Sequence, residues 1–240
     1  VSGILDQTLG VNGPMARNVK DLALFFDVLL GQTYKDPTSI PKEEKSFLNN
    51  ALEAKKPRKV AISQDLGIPP VDPTIREFVV KAGKELEKLG IVVEEATPDL
   101  SEAPYTSQIL RSFSFYVNLK SQYLENKKYL KEDIIWNIEK GMSLTVDDIA
   151  NANIKRVQIF NNMQNFFDQY DLLICPSTIV PPFPVEQTYV KSCDGINFSN
   201  YIEWLNIVSA VTLTGSPALS LPYGLTPVSY THLTLPTIGC

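Results

Sequence analysis

Few side chains in this sequence could attack a substrate, hold a metal or shuttle a proton. Its 240 residues include a single histidine, His232, and three cysteines, Cys175, Cys193 and Cys240. The cysteines form neither a CxxC pair nor a metal-ligand spacing, so no metal site is expected, and their low number suits a reducing cytoplasm. Ser112, Ser114 and Ser177 invite reading as nucleophiles. No base is paired with any of them in the sequence, so a surface or helix-packing role is expected instead. Cys175 also lacks an imidazole or cationic helper nearby, and a thiol needs one to become a reactive thiolate.

The histidine itself lies in an unusual place. From Val228 to Cys240 the chain turns into uncharged Thr, Leu and Pro without an amphipathic period. Residues 228–237, VSYTHLTLPT, match one reading frame of a transposon-based sequencing-library adapter. The expectation is therefore a native domain over 1–227 and a foreign tail over 228–240 that makes few contacts. The other reading is a genuine terminal strand. Without His232, no Ser-His-Asp, Cys-His or His-ligated zinc mechanism can be assembled from this chain.

The elements that would position any site can be read from periodicity. Gly13-Pro14 marks a turn, and Val19, Leu22, Phe26, Leu29 and Leu30 recur at helical spacing, with Gly31 as a stop. Residues 32–56 are polar and broken by Asp36-Pro37 and Ile40-Pro41, which argues against a long element. Arg58–Ser63 reads as a strand. Asp72-Pro73 starts a helix that runs to Gly90, and Ile91-Val92-Val93 forms a second strand. This βαβ-like unit predicts parallel pairing. Residues 105–140 read as helical with an aromatic stripe, assigned to core packing. Thr145 starts another helix with acidic residues in its first turn. A buried strand over 171–175, a Pro-rich loop over 176–184, a helix from Ser199 to about Val211 and a strand at 218–221 complete the chain. The fold class is α/β, a mixed β-sheet flanked by helices, and strands near 58–63, 91–95, 171–175 and 218–222 should share one sheet.

Composition narrows the function further. With a net charge of -5, and with Lys and Arg scattered along the chain, there is no basic stripe for a phosphate backbone. No nucleic-acid partner is expected. The longest apolar run, Leu22–Leu30, contains Asp27 and falls well short of a membrane span, so no membrane partner is expected either. The chain opens without a Met or a leader pattern and reads as an internal fragment.

Three phrases resemble the amidase signature family. The first is Gly13-Pro14-Met15-Ala16-Arg17, continued by Val19, Asp21, Leu22 and Ala23. The second is Tyr170-Asp171-Leu172-Leu173-Ile174-Cys175-Pro176 with Pro182-Phe183-Pro184. The third is Tyr201 and Trp204 followed by Thr214-Gly215-Ser216-Pro217-Ala218 and on to Gly224. Their order and spacing fit over 1–227.

The resemblance implies an incomplete amidase signature fold and hydrolysis of a carboxamide to a carboxylate and ammonia or an amine. It implies a Ser–cis-Ser–Lys triad, in which a neutral Lys is the base, one Ser relays the proton and the other attacks. No catalytic residue maps onto this chain, because all three triad positions lie upstream of Val1. Ser2 resembles a structural position of the family. Cys175, Phe183 and Trp204 fall in segments that approach the family's pocket and are the candidate substrate-binding residues.

The resemblance also implies a small-molecule amide substrate, no metal or organic cofactor and a cytoplasmic enzyme, and it leaves a homodimer open. Two alternatives stand beside it. One is the amidase subunit of the glutamyl/aspartyl-tRNA amidotransferase, and the other is a non-catalytic α/β binding relic.

Overall fold

The computed structural model describes residues 9–10, 12–36, 39–225 and 232–239. Contacts divide the chain into two compact units, Val1–Lys56 and Pro57–Cys240.

The first unit is built on helix α1, Val19–Leu29. It begins where the expected periodicity begins. Asn18 caps it, its side-chain oxygen accepting the Asp21 N–H at 2.9 Å. A second helix, α2 over Phe47–Leu52, forms in the stretch that sequence reasoning left without an element. Ser46 caps it locally, accepting from Asn49 N at 3.1 Å, and the other two first-turn N–H groups are satisfied from outside. The Asp27 carboxylate of α1 accepts from Phe47 N at 2.7 Å and Leu48 N at 3.0 Å. Phe26 and Phe47 then meet edge to face at 4.8 Å.

The second unit contains the sheet. Strand β1 (Lys59–Ile62) leads into helix α3 (Pro73–Lys88) and strand β2 (Val92–Glu95). Asp72 caps α3 by accepting from Thr74 N at 2.8 Å, and Pro73 fills the first turn, where its missing N–H costs nothing. β1 and β2 pair in parallel, as the βαβ reading requires. β3 (Leu172–Ile174) pairs in parallel on the other side of β1. One face of α3 closes over this sheet, and Val60, Ile62, Val79, Ala82, Ile91 and Ile174 form the shared core.

Between β2 and β3 come helices α4 (Ala103–Asn126), α5 (Glu132–Met142) and α6 (Val146–Phe167). The single helical stretch expected over 105–140 is two helices, separated by a short 3-10 turn over Lys127–Tyr129 and an extended Leu130. α5 folds back on α4 through Gly141, where a methyl would overlap the Ser112 carbonyl oxygen and sit 2.7 Å from Tyr116 Cβ. α6 starts at Thr145 as expected. Its hydroxyl accepts from Asp148 N at 3.1 Å, and the Asp148 carboxylate takes Thr145 N at 2.8 Å, closing a reciprocal cap.

A small hairpin, β4 (Ser192–Cys193) and β5 (Ile196–Asn197), turns at Asp194-Gly195, both with positive φ. Helix α7 (Asn206–Leu213) begins later than the expected Ser199, after a 3-10 turn over Glu203–Leu205. Strand β6 (Leu219–Leu225) follows, and β7 (His232–Gly239) ends the described chain.

The sheet order is β2-β1-β3-β7-β6. All four expected strands therefore lie in one mixed sheet, but β6 reaches β3 only through β7. The backbone of β7 runs antiparallel to both neighbours. The expectation that the tail makes few contacts does not hold for His232–Gly239. Residues 226–231 and Cys240 lie outside the described residues. The pairing leaves the origin of the segment open, since two unpaired strand edges will accept any extended segment of suitable length.

Candidate functional site

The candidate substrate wall grows out of the end of β3. Ile174 accepts the Ser63 N–H at 2.9 Å, after which the chain enters the Pro-rich loop. Ile179 anchors that loop, its carbonyl accepting from Asp72 N at 2.8 Å and from Cys193 Sγ at 3.4 Å. The helix-start residue of α3 and the small hairpin thus fix the same loop.

Two of the three candidate residues come together. Phe183 and Trp204 pack edge to face with ring centroids 5.8 Å apart, both half-buried. Trp204 is oriented by its own segment. The Glu203 carboxylate accepts from Ser199 N at 2.9 Å and Asn200 Nδ2 at 2.8 Å, and Asn200 Oδ1 accepts from Ile202 N at 3.0 Å. Beside this segment lies a cleft of about 140 Å³ lined by the cis Pro69–Pro70 pair, Ile179, Phe198, Glu203, Asn206 and Ile207. Its lining combines apolar side chains with two polar ones, Glu203 and Asn206.

Cys175 is placed differently. It is fully enclosed, and burial pushes its thiol up to about 12, so at neutral pH it is a protonated core group. Cys193 is also raised, to about 11, by burial and by the nearby Asp72 and Asp194 charges. Two of the three tempting serines, Ser112 and Ser114, are occupied by amides, which cannot take a proton. Buried Ser112 Oγ accepts from Gln108 Nε2 at 2.8 Å, and Ser114 Oγ accepts from Asn118 Nδ2 at 3.2 Å. Among the described residues no His, Cys, Asp and Glu group could hold a metal ion, and no helix is long and apolar enough to cross a membrane.

Sequence reasoning missed a second polar centre, on α4, α5 and the 199–205 segment. The Tyr201 hydroxyl accepts from Arg111 Nη2 at 3.2 Å and from Asn137 Nδ2. The Arg111 guanidinium lies 4.9 Å from the Phe115 ring and 5.8 Å from the Tyr201 ring. Trp136 and Tyr189 pack against Tyr201 at 5.9 and 6.2 Å. Arg111 sits inside the aromatic stripe that was assigned to packing. A cation spaced among aromatics was the available signal.

The matches to known proteins agree with this architecture. The sequence profile of the Amidase family matches residues 4–236. The acylamidase of Rhodococcus erythropolis is 27% identical over 238 residues, covering 94% of this chain and 49% of the relative. A glutamyl-tRNA(Gln) amidotransferase subunit of Sulfurihydrogenibium sp. (strain YO3AOP1) is 25% identical, covering 88% of this chain and 48% of the relative. Among solved structures, a bacterial aryl acylamidase of the amidase signature family superposes with a TM-score of 0.82 at 21% identity, covering 95% of this chain and 49% of that one. The 6-aminohexanoate cyclic dimer hydrolase bound to its substrate superposes at 0.77 with 18% identity, covering 94% and 50%. The chain spans about half the length of the relatives it matches. A family match over nearly the whole sequence, on a mixed sheet with the same fold as these enzymes, makes the chain a member of the amidase signature family.

Proposed function

We propose that this chain is the carboxyl-terminal part of an amidase that hydrolyses a small carboxamide to a carboxylate and ammonia or an amine. The Ser–cis-Ser–Lys triad is supplied by sequence upstream of Val1, and the segment carrying Phe183 and Trp204 contributes to the substrate wall. The reading is supported by one conjunction: the family profile matches 4–236, while Ser112 and Ser114 have amide partners and Cys175 is a buried neutral thiol. A nucleophile without a base does not cleave an amide at a useful rate.

The test is to express the 240-residue chain alone and assay it against carboxamides and with a serine-directed fluorophosphonate. No hydrolysis above background and no labelling are expected, because loss of a whole triad costs about a millionfold. Labelling of any serine here overturns the proposal. The amidotransferase subunit is the second reading, favoured by the 25% identical relative that covers 88% of this chain. Ammonia release by the full-length protein without any partner subunit would separate the two in favour of the amidase.

A further inference from the structure

Arg111 is the cation of the second polar centre, and among the described residues no carboxylate lies within ion-pair distance of it. Its Nε–H is buried and has no acceptor. Asn137, on the neighbouring helix α5, is fully enclosed. Its Nδ2 donates to Tyr201 Oη and to the Asp133 carbonyl at 2.8 Å, which fixes the orientation of the amide. Its Oδ1 therefore cannot be exchanged for the nitrogen by a flip, and it is buried with no donor. One charged donor and one neutral acceptor are thus left unsatisfied on either side of a single tyrosine hydroxyl. A buried polar group without a partner is costly, and a guanidinium more so than an amide. Two such atoms sharing one Tyr201 indicate a ligand with complementary chemistry.

We propose that Arg111, Asn137 and Tyr201 recognise an amide whose amine half carries a carboxylate, that is, an N-acylated amino acid. The proposal rests on the amidase reading and names its substrate class. The planar guanidinium takes the carboxylate, the geometry it suits best. Asn137 Oδ1 accepts the N–H that lies one carbon away from that carboxylate. Phe115, Trp136 and Tyr189 supply an aromatic surround for the side chain. All three rings and Tyr201 are half-buried, so the proposed ligand would reach the two enclosed atoms by displacing one of these rings. No covalent step is assigned to these residues. They are specificity-determining groups, and the triad remains elsewhere.

The experiment is isothermal titration calorimetry on the 240-residue chain with N-acetylphenylalanine, its carboxamide and 3-phenylpropanoate. The acid should bind at least tenfold more tightly than its carboxamide, and the advantage should shrink in high salt. 3-Phenylpropanoate, which keeps the carboxylate and lacks the N–H, should bind several-fold more weakly than the acid. Arg111→Met should erase the difference between the acid and its carboxamide, while Arg111→Lys should retain part of it. The comparison of probes on the unaltered chain decides the matter even where a variant fails to fold. Equal binding of the acid and its carboxamide, or no binding of either, overturns the inference. Such a result would leave the amidase reading intact if the full-length enzyme hydrolyses uncharged amides. Selective acid binding by a protein that hydrolyses no amide would overturn the function and keep the site.

Discussion

Helices α1 and α3 are both amphipathic in sequence, yet they fare differently. α1 buries none of its residues, and Leu24, Phe25, Val28 and Leu29 remain exposed. α3 has fewer large apolar residues but buries Ile75, Val79, Ala82 and Gly83 against a sheet. An apolar stripe specifies that a helix must be covered. It does not specify by what. α3 is flanked in sequence by the strands that cover it, so its partner is supplied locally by the βαβ unit. Within its own unit, among the described residues, α1 meets the six-residue α2 through Asp27 and Phe26.

The contrast yields measurements ordered by size. The largest effect should come at the strand that joins the two halves of the sheet. Deleting residues 228–240 unpairs β6 and one edge of β3 together, so Leu219–Leu225 should lose its amide-exchange protection and the unfolding midpoint should fall sharply. An unchanged midpoint, within about 0.5 kcal/mol, would mean the tail contributes nothing, and the adapter reading would stand. Ile75→Ala, in the covered face of α3, should cost about 3 kcal/mol in denaturant unfolding, the usual price of emptying a sealed core site. Gly141→Ala forces α5 off α4 and should cost about 2 kcal/mol; a neutral result would show that the helices can separate freely at that point. Thr145→Ala removes one half of the reciprocal cap on α6 and should cost about 1 kcal/mol. Leu24→Ser on α1 should change stability by no more than about 0.5 kcal/mol, and a larger loss would place that exposed face against a partner.

Acid provides an independent check on the covered region. Asp171 accepts from Lys59 N and Arg58 N, and these bonds hold its carboxyl below the ordinary carboxylate range. A folded-state value below the unfolded one adds stability at neutral pH that is lost as pH falls from about 4 through the lower folded value. Asp171→Asn should therefore flatten the acid limb of the pH–stability curve below about pH 4, and an unaltered limb would remove Asp171 from the account.

What could be read in the sequence follows the same division as the two helices. Features carried by neighbouring residues were legible: the Asp72-Pro73 start, the Thr145 cap, the parallel pairing of β1 and β2, and the strand before Cys175. The hairpin at Asp194-Gly195 carried its turn signal openly and went unread. The break at Lys127–Tyr129 had no Gly or Pro to announce it and depends on α5 packing back through Gly141. The late start of α7 depends on the Glu203 carboxylate holding the Ser199 and Asn200 nitrogens, a local bond with no helix-breaking residue. At the site, Phe183 and Trp204 do meet, and Cys175 is a core thiol. Arg111, Asn137 and Tyr201 come from three separate segments, so only the folded chain brings them together.

The placement of the indole rings has a practical consequence. The chain has two tryptophans. Trp136 packs on Tyr201 and Trp204 on Phe183, so both stand in the region proposed to meet the substrate and neither belongs to the sheet core. Intrinsic fluorescence is therefore a local reporter here. An emission shift or quench would record events around Tyr201 and the Pro-rich loop, while far-ultraviolet circular dichroism would follow the backbone as a whole. If the fluorescence change comes first on heating, the region around Tyr201 and the Pro-rich loop loosens before the backbone as a whole unfolds, and the order can be timed without attaching a dye.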